Sequence, residues 1–175
     1  MFLQNINRYI ANKALKRKLK EAHLSQGIGE GKIKSFGCIV NVDEFSDVSL
    51  LYKLMEDTGI RKEQFKIIGF SKGKRDHTQY NIPIVTPKSL DWKGKIINDD
   101  YRLFSHKEYD LLLSYYGEKV PKILNLATVY TKAKFKIGMK MANGAYNHMI
   151  FDINTTSYTL FKEELIKYLT VFKKI

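Results

Sequence analysis

The sequence predicts an α/β fold of Rossmann-like type: a mostly parallel sheet flanked by helices, preceded by an N-terminal basic amphipathic helix. Three observations carry this. Several apolar runs of six to eight residues show no alternation, as expected of strands covered on both faces. These runs alternate with stretches whose apolar residues recur at helical spacing, so that strand, helix and strand fit in about 35 residues, the size of a right-handed βαβ unit. The chain is 44% hydrophobic with a single cysteine, so its core must come from packed elements and not from disulfides or a cysteine-only zinc site.

The elements follow in order. Residues 1–24 read as a basic helical arm, with Phe2, Ile6 and Tyr9 or Ile10 on one stripe, Leu15 and Leu19 extending it, and Arg8, Lys13, Lys16, Arg17, Lys18 and Lys20 around the rest. Residues 25–34 read as a glycine-rich linker, because Gly27, Gly29 and Gly31 cannot sustain a helix. A single α/β domain over 35–175 follows. Its first strand is Phe36–Val42, and Asp43 or Ser46 is the expected cap of a helix presenting Val48, Leu51, Leu54 and Met55. Gly59 is placed for a left-handed C-terminal cap, before a strand at Phe65–Phe70. The polar middle, 71–101, offers only an edge strand at 82–86, interrupted by Pro83 and closed by Pro87. The second unit is a strand at Tyr109–Tyr116, a helix opening at Pro121, and strands at 135–139 and 146–153. Thr156 or Ser157 then caps a final helix carrying Leu160, Phe161, Leu165, Tyr168, Leu169 and Phe172.

Length and charge set the outer limits. The 175 residues suit one domain, and no apolar run reaches the roughly 20 residues of a membrane span. At the N-terminus apolar residues precede the lysines, the reverse of an export signal, so a cytoplasmic protein is expected, with Cys38 reduced. The formal net charge is +12, and the excess is segregated: 1–34, 61–98 and 121–175 are each net +6, whereas 35–60 is net −4. Such segregation points to a face that meets a polyanion.

The residues that carry chemistry argue mainly by elimination. A dinucleotide site needs glycines after the first strand; here Asp43-Glu44-Phe45-Ser46 follows it, and two carboxylates repel phosphate. Gly27–Lys32 (GIGEGK) lacks P-loop spacing and precedes a strand. Ser71-Lys72-Gly73-Lys74-Arg75 does follow a strand and is either a local anion loop or a solvated turn. His23, His77, His106 and His148 are isolated, so no metal site and no cofactor is expected. Asp43-Glu44 and Asp99-Asp100 read as solvated acidic pairs, and Cys38 as a buried, inert thiol in mid-strand. Binding chemistry is better supplied. Cations interleave with aromatics in Trp92-Lys93-Gly94-Lys95 and in Tyr130–Lys136, where Lys132, Lys134 and Lys136 share one face of a strand. Trp92 itself is expected to pack against the sheet.

The basic N-terminal helix, Val40–Ser46, Leu90-Asp91-Trp92-Lys93-Gly94-Lys95, Tyr109–Tyr116 and Thr131–Gly138 together resemble an uncharacterised family of small basic Bacteroidota proteins, over nearly the whole chain. That resemblance implies no activity. The Asp-Leu-Leu strand, the helix after it and Ala133–Gly138 are also similar to a βαβ segment in the N-terminal half of lipopolysaccharide heptosyltransferases, which implies fold and not catalysis.

The leading expectation is a non-catalytic domain that binds a polyanion, RNA or the ribosome, through Arg8, Lys13, Lys16, Arg17, Lys20, Lys72, Lys74, Arg75, Lys132, Lys134 and Lys136. No motif for sequence-specific DNA reading is present. One alternative is a peripheral protein of an anionic membrane surface, held at the inner membrane by Phe2, Leu3 and Ile6. Another is a small enzyme or ligand binder with a pocket at Asp43, Ser71 and Gly117, at the strand C-terminal ends.

Overall fold

The computed structural model describes residues 2–21, 29–73, 78–117, 121–140 and 142–175. The unalternating runs become a six-stranded, all-parallel sheet: β1 (Phe36–Asn41), β2 (Phe65–Phe70), β3 (Ile84–Val85), β4 (Glu108–Tyr115), β5 (Lys132–Gly138) and β6 (Met149–Ile150). Spatial order is β3-β2-β1-β4-β5-β6, the doubly wound Rossmann order. The winding reverses between β1 and β4, whose registers pair Phe36 with Leu111 and Val40 with Tyr115.

The described helices are α1 (Phe2–Glu21), α2 (Val48–Thr58), α3 (Asp99–His106), α4 (Lys122–Tyr130) and α5 (Tyr158–Val171). The right-handed crossover rule divides them between the two faces. α2 and α5 cover one face, where Leu51, Leu54, Phe161 and Leu165 pack on Phe36, Val40, Leu111, Leu113 and Tyr115. α3 and α4 cover the other, with Tyr101, Phe104 and Leu124 in one apolar cluster with Ile39, Ile68 and Leu112, and α1 packs along α4, adding Ala11 and Ala14 to that cluster. Every residue of β1 is buried, which is why that run has no alternation. Each fully buried leucine in these layers contributes about 1.5–3 kcal/mol relative to exposure.

Several boundaries differ from expectation. α2 is preceded by Asp47, not Asp43 or Ser46, and α5 by Ser157; neither side chain makes a capping bond. Gly59 does close α2 in the left-handed conformation, at φ 67°. β5 starts at Lys132, three residues before the expected 135. The expected strand over 146–153 shrinks to Met149–Ile150, because Tyr146 and Asn147 are held in a turn in which Tyr146 donates to the Asn143 carbonyl (3.3 Å). α3 has no counterpart among the predicted elements. The Asn98 side chain accepts from the Tyr101 N–H (2.8 Å), Asp99 and Asp100 occupy the first turn, where the helix dipole favours negative charge, and Tyr101 and Phe104 are its buried face.

The N-terminal helix docks on the domain. Ala11, Ala14 and Leu15 are its buried stripe, whereas Ile6 and Tyr9, expected on that stripe, are exposed at 37% and 68%. Small residues win because the surface beneath approaches closely: a Cβ on Gly94 would lie 2.3 Å from the Ala14 Cβ. The linker is tied down within its described part. Lys174 Nζ donates to the carbonyls of Gly29 and Gly31, and Ile33 donates to the Lys174 carbonyl (3.0 Å). Residues 25–28 of the linker lie outside the described residues.

Candidate functional site

In an open parallel sheet the usual ligand position is the crevice beyond the strand C-termini where the winding reverses, here between β1 and β4. Three residues proposed for it, Asp43, Ser71 and Gly117, do converge there. Asp43 follows β1, Ser71 follows β2 and Gly117 follows β4. The Asp43 carboxylate accepts from Ser71 Oγ (2.9 Å) and from the Lys72 N–H (2.9 Å). Glu44 accepts from the Gly117 N–H (2.8 Å), with Thr155 Oγ1 3.6 Å from the position of a Cβ on Gly117. The Gly73 N–H is turned to Ser71 Oγ (3.3 Å). Backbone amides at these loop tips are the groups that would hold a phosphate. In this chain its own carboxylates and hydroxyl take them. Lys72 is exposed at the rim, and Lys74 and Arg75 lie outside the described residues.

A second concavity lies at the opposite end of the sheet. β4 and β5 start side by side, Glu108 beside Lys132, and the helices before them end there, α3 at His106 and α4 at Tyr130. With the docked α1 they frame an open groove of about 880 Å³. Its walls carry Arg17 and Lys18 from α1, Lys95 from the preceding turn, and Arg102 and His106 from α3, over a floor that includes Tyr101 and Tyr130. Lys18 Nζ stands 6.0 Å from the Tyr130 ring centroid, a cation–π contact that anchors the helix end. Asp99 is the one carboxylate among the lining residues, paired with Arg102 at 3.3 Å, and both side chains are largely exposed. Such a pair is worth under about 1 kcal/mol and yields readily to another anion.

Of the cations expected to bind from α1, only Arg17 lines this groove. Arg8, Lys13, Lys16, Arg17 and Lys20 are all exposed, because the helix turns its alanines inward. Phe2 and Leu3 belong to the same helix, and their side chains lie outside the described residues.

Trp92 overturns its expectation. It is 77% exposed, and Lys93 Nζ lies 4.8 Å from its ring centroid. The turn that carries it is firmly built. Asp91 Oδ1 accepts from the N–H groups of Lys93 (2.9 Å) and Lys95 (2.7 Å), and Asp91 N–H donates to the Lys95 carbonyl (2.9 Å). Gly94, at φ 78°, packs on α1, and Tyr130 Oη donates to its carbonyl (3.1 Å). The sequence held one signal of this: Asp, then Gly three residues later, is turn chemistry, and an aromatic inside a tight turn has no sheet to reach.

The Lys132–Lys136 alternation does not present three ammonium groups to solvent. Lys132 is exposed. Lys134 is paired with Asp110 at 2.7 Å, where burial works to raise the carboxyl's pKa but the bonds from Lys134, Lys34 and Ser35 bring it below its ordinary value. Lys136 is buried beneath α4, its Nζ donating to the Thr128 carbonyl (2.7 Å), and desolvation lowers its pKa to about 8. Nearby, Thr128 Oγ1 bonds Ser114 Oγ (2.8 Å) and Tyr116 Oη (2.6 Å), a polar cluster internal to the fold.

Other candidates resolve simply. Cys38 is fully buried and desolvation pushes its thiol up, away from thiolate chemistry. His106 Nδ1 bonds the Arg102 carbonyl (2.7 Å), His148 Nδ1 accepts from the Lys136 N–H (2.9 Å), and His23 and His77 lie outside the described residues. Among the described residues no group of three or more His, Cys, Asp or Glu could hold a metal ion. No described helix is long and apolar enough to cross a membrane.

The chain belongs to a family of unknown function, DUF6913, whose model matches residues 7–172. No curated protein and no solved structure matches it.

Proposed function

We propose that the protein is a non-catalytic, cytoplasmic binding domain for a polyanionic partner, RNA free or within the ribosome, held in the groove between α1, α3 and the turn at 91–95. The observation that carries this reading is the groove's own composition. Arg17, Lys18, Lys95 and Arg102 converge from three separate segments on one open concavity, with a single exposed carboxylate among them. Cations brought together from distant parts of a sequence repel one another, and a bound polyanion relieves that repulsion while releasing its counterions. The Rossmann crevice supports the same assignment from the other side, since its amides are occupied by Asp43 and Glu44.

Charge reversal tests it. Lys95→Glu with Arg102→Glu is expected to weaken binding of a fluorescein-labelled RNA oligonucleotide by at least tenfold at 100 mM salt. Lys53→Glu with Lys167→Glu, the same change in net charge placed on α2 and α5 at the other face of the sheet, is expected to change it by less than threefold. Equal loss in both variants would mean that overall charge, and not the groove, governs binding. No binding by the unmodified chain would end the RNA reading.

A further inference from the structure

We infer that the groove takes single-stranded RNA, with one unpaired base stacked on Trp92; this rests on the proposed polyanion reading and adds the form of the nucleic acid. Phosphate-neutralising cations alone would serve any polyanion. What they do not need is a large aromatic ring held in water at the groove's edge.

Trp92 is such a ring. With 77% of the residue exposed and Lys93 over one face, the other face is available to a planar partner. Hydrophobic burial would drive a loose indole onto the protein, and here the turn prevents it. The Asp91 carboxylate pins both the Lys93 and Lys95 amides, Gly94 is locked against Ala14, and Tyr130 Oη clamps the Gly94 carbonyl. The backbone that carries the indole is therefore fixed in advance, so a stacking base bears only the cost of settling the ring itself. Trp92 and the groove-lining Lys95 are three residues apart, so their Cα atoms are at most about 11 Å from each other, and the closed turn brings them nearer. A cation that neutralises phosphate beside an aromatic that stacks a base is the recurring unit of single-strand recognition. Duplex RNA keeps its bases within its own stack and offers none to the indole.

Trp92 is the only tryptophan, so its fluorescence, excited at 295 nm, reports this contact alone. Binding is followed separately by competition against a labelled oligonucleotide. The full chain is titrated with a twelve-nucleotide oligouridylate, a duplex RNA of equal length, heparin, and vesicles of phosphatidylglycerol. The expected result is strong quenching by oligouridylate, and none by heparin or duplex RNA even where they compete for the groove. Trp92→Ala, at an exposed position, should weaken oligouridylate about 5- to 150-fold, the range for loss of one base–aromatic stack, and leave heparin unchanged. Oligouridylate binding with unchanged fluorescence and an indifferent Trp92→Ala would overturn the stacking inference while leaving the groove reading in place. Equal quenching by the duplex would overturn the single-strand assignment. A blue shift on vesicles without oligouridylate binding would replace RNA by a membrane surface. No binding of any polyanion would remove both readings together.

Discussion

Lys136 sets the cost of removing an ammonium from water against the single carbonyl, that of Thr128, that it meets inside. Desolvation lowers its pKa to about 8, whereas an unfolded lysine titrates near 10.4. Between those values the unfolded chain binds more protons than the folded one, so stability rises with pH from about 8 to 10.4. Below pH 8 both states are protonated and the burial penalty is at its full value. Lys136→Met is expected to flatten this rise in urea unfolding midpoints measured from pH 7 to 10. Its gain at pH 7 is limited, since the orphaned Thr128 carbonyl costs about 1–3 kcal/mol. Parallel pH profiles for the two proteins would show that the ammonium is not the source. The same residue marks where sequence reading stops. The alternation at Lys132, Lys134 and Lys136 is real, but whether a strand face is solvated depends on what lies over it, and α4 covers Lys136 alone. Trp92 fails in the opposite sense: its apolar bulk predicts burial, and a four-residue turn overrides that preference.

At the level of elements, the strands were the most legible part, because buried parallel strands read as unbroken apolar runs. Phe36–Asn41 and Leu111–Tyr115 could scarcely be anything else. α3 was hidden because Asp99-Asp100 looks like solvated loop when its role at a helix N-terminus is not considered, and only Tyr101 and Phe104 face inward. α1 was legible as a basic helix, but its docking stripe was not, since Ala11 and Ala14 give a weak hydrophobic signal and matter here for their small size. The joint between α1 and the turn at 91–95 is the element on which the groove depends. Gly94→Val places a branched side chain at φ 78°, with its Cβ 2.3 Å from that of Ala14. We expect a loss of about 1–3 kcal/mol from overpacking, which for a chain of this size lowers Tm by roughly 3–10 °C in calorimetry. RNA affinity should fall with it as α1 lifts from the groove. Unchanged Tm and affinity would mean that the helix and turn are not coupled. Asn98→Ala gives an independent check on α3, with an expected cost of about 1 kcal/mol for the lost cap.

Across the whole molecule, the sheet order was implicit in two βαβ units, yet the proposed site lies away from where that order usually puts one. A Rossmann sheet concentrates ligand chemistry at its strand C-termini, and there Asp43 and Glu44 turn inward to satisfy the neighbouring loops. Cation density instead gathers at the far end, from α1, the turn and α3, segments that the sequence separates by up to 85 positions. No local motif could have announced that convergence, and the segregation of the +12 net charge foreshadowed only part of it: Arg17, Lys18 and Lys95 come from two of the basic stretches, whereas Arg102 comes from the net-acidic 99–120. If the groove is where the polyanion sits, binding must be governed by counterion release. Four cations engaging four phosphates of a single strand give a slope of about −3 for log K against log salt concentration, from roughly 0.7 per phosphate. The decisive measurement is therefore oligouridylate affinity from 50 to 400 mM potassium chloride, for the unmodified chain and for Lys95→Glu with Arg102→Glu. Counterion release at the groove predicts a slope near −3 that falls markedly in magnitude in the double variant. A slope near zero, or one identical in the two proteins, would contradict it.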